Sequence, residues 1–309
     1  MTTTVPSPTG HSSIIPTPSR SAASASRIAL GALILRDLVV LRKHLIEFAS
    51  RTVIQPFLLC FVFLYVFPKI GQAVGGTGAG AARAGTGVGA ARSSAAASSA
   101  FATVLVPGVV GISIMFQGVQ AVALQMSQEF GFTREIEDRV QAPCPIWLVA
   151  AAKVLSGSVQ GVISAVIVLP IASVVHAAGV EAHLNLHWWI ILTLLPIACV
   201  TMASLGLVLG TSFEPRNIGL MFGFVVLPIT FLGGTYYQWT RLVPVKVGAW
   251  HWLQTIVLVN PLIYVNEGMR AAFTNAQHMH LYIIYPVLIG FCTVFLRIGL
   301  QNFRRRVLA

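Results

Sequence analysis

Long apolar runs alternate with short polar segments along most of the chain. A membrane-spanning helix needs about 20 apolar residues, and about 17 to 25 are tolerated. Six runs fit, at residues 52–69, 102–126, 146–176, 187–212, 217–236 and 281–300. The first is short, so we expect its helix to begin in the preceding segment. The third is long, so its ends should project, with Lys153 reaching the membrane interface. The pattern predicts an all-α integral membrane protein with six transmembrane helices.

The segment before the first run has a mixed pattern. Apolar residues recur at helical spacing while charged residues occupy another face: Ile34, Leu38, Leu41, Leu45 and Phe48 against Arg36, Lys43 and Glu47. This pattern predicts an N-terminal amphipathic elbow helix over residues 27–51 that lies in the membrane surface. A cytoplasmic extension of the first span is an equally good interpretation. Residues 1–26 are rich in Ser, Thr, Pro and Ala, which is typical of a disordered tail, and lack signal-peptide features.

Three other patterns interrupt the series of spans. Residues 71–100 are almost entirely Gly, Ala, Ser and Thr, and we expect a flexible outer loop there. The apolar run at residues 247–259 is too short to cross a membrane, which favours an interfacial or re-entrant segment. The glycine pairs Gly157–Gly161, Gly206–Gly210 and Gly219–Gly223 have the GxxxG spacing that lets helices approach closely.

Composition and charge support a membrane location. Hydrophobic residues make up 56% of the chain and charged residues 9%, against about 25% charged in soluble domains. The formal net charge is +11, but the basic residues flank the apolar runs, and no basic helix with interleaved aromatics lies outside them, so we expect no nucleic-acid partner. With both termini in the cytoplasm, 14 of the 20 Lys and Arg residues face inward. This positive-inside bias predicts a multi-pass plasma-membrane protein with both termini cytoplasmic, in contact with membrane lipid.

The sequence lacks the usual motifs of an enzyme. A nucleotide-binding P-loop ends in Gly-Lys, and none of the four lysines follows a glycine. We therefore expect no bound cofactor and no catalytic residues on this chain. His176, His183 and His187 cluster near Glu181, but they lack helical ligand spacing, so we expect no metal site.

The segment between the second and third spans has the features of a short helix. Thr133 is a suitable N-cap, and Pro143 would end the helix before the third span. Glu135, Glu137 and Asp138 lie near its start, while Phe132, Ile136 and Val140 fall on one face. A solvated loop is the alternative, but the apolar stripe favours docking onto a cytoplasmic partner.

A second constellation precedes the last span, in the sequence Asn260-Pro261 to Arg270. Glu267 and Arg270 are three residues apart and would pair on a helix. The alternative is that these charges line a substrate path.

Together these motifs resemble the permease subunits of type 2 ABC exporters, which include daunorubicin-resistance and polysaccharide-export permeases. The resemblance covers residues from about 27 onward and rests on five motifs: Arg36-Asp37-Leu38, Val106-Pro107-Gly108, the Glu129–Lys153 loop, Leu232-Gly233-Gly234 and Asn260-Pro261-Leu262 with Glu267-Gly268-Met269-Arg270. It implies a permease that forms a homodimer or heterodimer with a second permease copy and pairs with a separate ABC ATPase subunit that binds ATP. It also implies that the loop helix is the coupling helix, and that Asn260, Pro261, Glu267 and Arg270 lie in an outer re-entrant region.

The expected function is export of an amphipathic, drug-like or lipid-like molecule. Export of a lipid-linked glycan or polysaccharide is the alternative within transport. An ion-coupled secondary transporter would need buried ionisable groups, for which Glu267 is the main candidate. A membrane-embedded enzyme would need paired acids or His/Asp clusters within the spans, and the spans lack them.

Overall fold

The computed structural model describes residues 22–43, 45–67, 88–131, 145–175, 184–242 and 251–308. These residues are mainly helical and contain no β-strand. The α-helices are α1 Ala22–Lys43, α2 Leu45–Cys60, α3 Val88–Gly131, α4 Ile146–Val174, α5 Trp188–Ser212, α6 Ile218–Met221, α7 Leu227–Leu232, α8 Trp252–Val257, α9 Pro261–Phe273 and α10 Leu281–Leu308. Two π-helical stretches, Phe61–Val66 and Phe222–Val226, continue α2 and join α6 to α7. Two 3-10 turns occupy Pro215–Asn217 and Trp239–Leu242.

Six helical segments are long and apolar enough to cross a membrane. They are Ile46–Val66, Ser99–Gly131, Ile146–Ala172, Trp188–Ser212, Pro215–Leu232 and Leu281–Val307, called here the first to sixth spans. The predicted all-α membrane architecture is therefore confirmed. As expected, the first span draws its start from the preceding segment, at Ile46 rather than residue 52.

Two predicted boundaries were wrong. Helix α1 begins at Ala22, within the segment predicted as a disordered tail, and α3 begins at Val88, within the predicted flexible loop. Both added stretches are rich in Ala and Ser, and Ala has the highest helix propensity. Extending an existing helix also avoids the cost of nucleating a new one. Residues 71–87 lie outside the described part of the chain.

The second span forms the centre of the bundle. It is 72% buried over its most apolar window, whereas the fifth and sixth spans are each 17% buried. Helix α3 packs against α4, α5 and α9. The first, fifth and sixth spans therefore form most of the outer surface, where exposed apolar side chains are suited to lipid.

The predicted glycine pairs differ in how closely other helices approach them. A Cβ added at Gly206 would lie 2.9 Å from the Gly118 carbonyl oxygen, and one at Gly157 would lie 2.6 Å from Val122. These glycines allow the second, third and fourth spans to approach closely. At Gly219 and Gly223 no atom of another described element lies within 4 Å of an added Cβ, so this fifth-span pair faces away from the described bundle.

The short helices α8 and α9 lie between the fifth and sixth spans along the chain. Helix α9 is packed against α3, α5 and α10. Because successive spans alternate in direction, α9 lies at the end of the bundle opposite the 132–144 segment. We call these the α9 end and the loop end. The re-entrant and elbow descriptions of α8–α9 and α1 stay predictions.

Candidate functional site

Helix α9 carries most of the second predicted constellation and is buried along its whole length. Asn260 caps it: the side-chain oxygen accepts a hydrogen bond from the Leu262 N–H at 2.9 Å. Pro261 occupies the first turn, where its missing N–H costs nothing. The cap and proline therefore fix where this helix begins.

Glu267 and Arg270 form an ion pair of 2.8 Å on α9, with both side chains at 0% exposure. The Glu267 carboxylate also accepts two backbone hydrogen bonds, from the Trp239 N–H at 2.9 Å and the Met279 N–H at 3.0 Å. Burial lowers the pKa of the Arg270 guanidinium, and the Glu267 carboxylate opposes that shift. Through these two hydrogen bonds, Glu267 links the turn that contains Trp239 to the segment that contains Met279, just before α10.

The same helix also holds the turn that follows the fifth span. Arg270 donates to the Gly234 carbonyl and, at 3.4 Å, to that of Thr235. Asn266 donates to the Gly233 carbonyl at 2.7 Å and to the Thr235 hydroxyl at 3.0 Å. Gly234 has φ 69°, a left-handed conformation that favours glycine.

Asn266 and Thr235 were missed by sequence reasoning, although Gly233 and Gly234 were part of the family motif. An asparagine inside an apolar helix was the available signal, since such a residue needs a buried partner. These contacts make the α9 end a buried polar anchor, although the Asn266 side-chain oxygen and Arg270 Nε have no hydrogen-bond partner among the described residues. The predicted outer, re-entrant placement of Asn260, Pro261, Glu267 and Arg270 is not tested by this geometry.

A second charged cluster lies toward the loop end, and it was not foreseen. The Lys153 ammonium lies 2.7 Å from a Glu129 carboxylate oxygen, 3.4 Å from the Gln125 side-chain oxygen and 3.7 Å from an Asp37 carboxylate oxygen. Lys153 is buried, which corrects the expectation that it reaches the membrane interface. The cluster joins α1, α3 and α4. Because its side chains are buried, removal of one charge would leave an opposite charge without its partner.

The predicted coupling residues Phe132, Glu135, Ile136, Glu137, Asp138 and Val140 lie outside the described residues, as do His176, Glu181 and His183. The structure does describe the residues that flank this predicted coupling segment, Gly131 and Pro145. Glu129 precedes Gly131 by two residues, so the Lys153 cluster lies beside the place where the segment leaves the bundle. Among described residues, no three His, Cys, Asp or Glu side chains form a group suited to a metal ion.

Comparison with known proteins identifies relatives. The family described as "ABC-2 type transporter" matches residues 29–274. The inner membrane transport permease YadH of Escherichia coli strain K12 is 28% identical over 195 residues, covering 62% of this chain and 70% of that protein. The protein of the same name from Shigella flexneri matches with the same identity and coverage. This chain is therefore a multi-pass membrane permease of the ABC-2 type transporter family.

Proposed function

We propose that the chain is the permease subunit of an ABC exporter that moves an amphipathic, drug-like or lipid-like molecule out of the cytoplasm. The observation that carries this proposal is the family match over residues 29–274, which includes the loop end and the α9 end. Energy comes from a separate cytoplasmic ATPase subunit that binds and hydrolyses ATP. The permease itself binds no nucleotide, in keeping with the lack of a Gly-Lys sequence.

The contact with the ATPase is made by the 132–144 segment. Its apolar stripe of Phe132, Ile136 and Val140 is flanked by acidic residues, a pattern that suits a protein groove with a charged rim. The segment joins the second and third spans directly. Movement of the ATPase would therefore act on the central second span and on the third span that packs against it.

The Lys153 cluster supports this role because it connects those two spans to α1. Glu129 lies on α3, Lys153 on α4 and Asp37 on α1. Ion pairs between separate helices resist relative displacement of the helices, and they re-form when the helices return. We therefore assign the cluster the transmission of movement from the segment to α1.

The functional unit contains a second permease copy, identical or related. The fifth span supports this part of the proposal, since it is only 17% buried and no other described element packs against Gly219 and Gly223. Small residues spaced in this way favour close contact between helices in a membrane. The assembly lies in the plasma membrane with both termini cytoplasmic, as the charge bias indicates.

Ion-coupled transport is less well supported. Such a carrier needs an acid that exchanges its ion or proton during the cycle. The Glu267 carboxylate is instead held by Arg270 and by the Trp239 and Met279 N–H groups.

The Ile136→Asp variant tests the coupling role. The change places a charge in the proposed groove, which costs several kcal/mol if it stays unpaired. We expect normal membrane levels, loss of co-purification with the ATPase, and loss of ATP-dependent export from vesicles. Ile136→Leu, which keeps an apolar side chain of similar volume, is the matched control and should retain all three.

Two results would contradict the proposal. Intact complex formation and export by Ile136→Asp would remove the coupling role from this segment. ATP hydrolysis by the purified permease without a partner would contradict the assignment of ATP hydrolysis to a separate subunit.

A further inference from the structure

A cluster of neutral polar side chains lies between the first three spans, apart from both charged clusters. It surrounds a small pocket lined by Thr52, Gln55, Pro56, Ser113, Phe116, Gln117, Gln120 and Ser164. Polar side chains are costly within the apolar part of a membrane, and there they often mark functional positions. Among the residues that the structure describes, no charged side chain lines this pocket, which favours neutral hydrogen bonding.

Two atoms of the pocket have unused hydrogen-bonding capacity. Gln117 is 4% exposed and Ser164 is 0% exposed. The Gln117 side-chain nitrogen donates to the Thr52 hydroxyl. The Gln117 side-chain oxygen and the Ser164 hydroxyl have no hydrogen-bond partner among the described residues. A buried polar atom without a partner is destabilising, so these two atoms favour an additional ligand.

The size of the pocket limits what can enter it. The pocket has room for about one water-sized group, which excludes a sugar ring or a phosphate. A hydroxyl group fits both the volume and the chemistry. It can donate to the Gln117 oxygen and accept from the Ser164 hydroxyl.

The mouth of the pocket indicates the direction from which a ligand arrives. Gln55 and Gln120 are half-buried, so the site opens on the outer surface of the bundle. Leu58 lies one helical turn from Gln55 on the first span and is exposed and apolar, and Ile54 continues this exposed surface one turn away. Such a surface suits an alkyl chain lying along the span, with its hydroxyl end turned into the pocket.

We propose that this pocket binds the hydroxyl group of a neutral, bilayer-resident amphiphile such as a long-chain alcohol. Gln117 and Ser164 supply the two hydrogen bonds, and the apolar surface of the first span supports the alkyl chain. The inference concerns binding, and it does not require that the bound molecule be the exported one.

A photoreactive long-chain alcohol tests the site. The full chain, in phosphatidylcholine vesicles, is irradiated with a diazirine-bearing long-chain alcohol or with its methyl ether, and the labelled peptides are mapped. We expect labelling of the first and second spans by the alcohol at about five times the level given by the ether, the effect of roughly 1 kcal/mol from a hydrogen bond in a membrane. Gln117→Leu should reduce labelling by the alcohol to the level of the ether.

Controls separate this result from general damage to the fold. Thr293→Val removes an exposed hydroxyl from the sixth span that bonds only within its own helix in the described structure, and it should leave labelling unchanged. Ser164→Ala is a smaller change that carries the test if Gln117→Leu does not accumulate. Equal labelling by alcohol and ether, or labelling unaffected by both pocket variants, would indicate a site that holds water only and would overturn the proposal.

Discussion

The α9 end and the loop end both contain buried ion pairs, but the two clusters are assembled in different ways. At the α9 end, Glu267 and Arg270 come from one helix, and their remaining hydrogen bonds go to backbone groups. At the loop end, Lys153, Glu129 and Asp37 come from three helices. The first arrangement fixes a set of turns in one position. The second depends on how three helices lie relative to one another.

The difference is also visible in burial and distance. Both side chains of the Glu267–Arg270 pair are at 0% exposure, and the pair is 2.8 Å long. The Glu129 and Asp37 side chains are 10% and 8% exposed. Lys153 lies 2.7 Å from Glu129, as close as the α9 pair, but 3.7 Å from Asp37. A fully buried ion pair within one helix suits a fixed anchor. A partly exposed cluster between three helices tolerates some movement of those helices relative to one another. We therefore expect damage at the α9 end to reduce folding, and damage at the loop end to reduce transport.

Arg270→Met should have the largest effect. It leaves the Glu267 carboxylate buried without its cation, which costs about 3–5 kcal/mol. We expect greatly reduced protein in the membrane and a lower melting temperature of the purified chain. The double variant Glu267→Gln with Arg270→Met should recover part of the loss, because no charge is then left alone. A single variant as stable as the parent would show that the pair is not an anchor.

Lys153→Met should have a smaller effect on stability and a larger one on transport. It leaves Glu129 and Asp37 without the ammonium, at a cost below the roughly 3–5 kcal/mol of a fully buried pair, because both carboxylates keep some exposure. We expect membrane levels near normal, retained binding of the ATPase, and ATP-dependent export reduced several-fold. Lys153→Arg keeps the charge and should be milder. Unchanged export by Lys153→Met would remove the transmission role.

Asn260→Ala should give the smallest change of the three. It removes the cap of α9 and the hydrogen bond from the Asn260 amide to the Ile229 carbonyl, which is 2.7 Å long. Loss of an N-cap costs about 1 kcal/mol. Thermal unfolding should show a modest decrease in melting temperature, while Asn260→Ser, which keeps a neutral capping oxygen, should lose less. A loss as large as that of Arg270→Met would mean that the cap, rather than the ion pair, holds the α9 end together.

Much of the architecture was predictable because lipid imposes a strong and local requirement. Each span must be helical and apolar over a length set by the bilayer, so the six runs alone located the spans to within a few residues over most of their ends. The Glu267–Arg270 pair was equally predictable, since residues three apart on a helix are neighbours whatever surrounds them. The family could be recognised from the sequence for a related reason, because each of its motifs is a short stretch that lies in or next to one of these helices.

Tertiary structure decided the features that depend on contacts between distant parts of the chain. Nothing in the local sequence places Lys153 beside Glu129 and Asp37, and its position near a span end favoured the membrane interface instead. The hydrogen bond from Asn266 to the Gly233 carbonyl joins residues that are 33 positions apart. The pocket of Thr52, Gln117 and Ser164 is formed by side chains from three helices. Apolar periodicity determines that a helix crosses the membrane, whereas the packing of the spans against one another determines which polar side chains meet inside it.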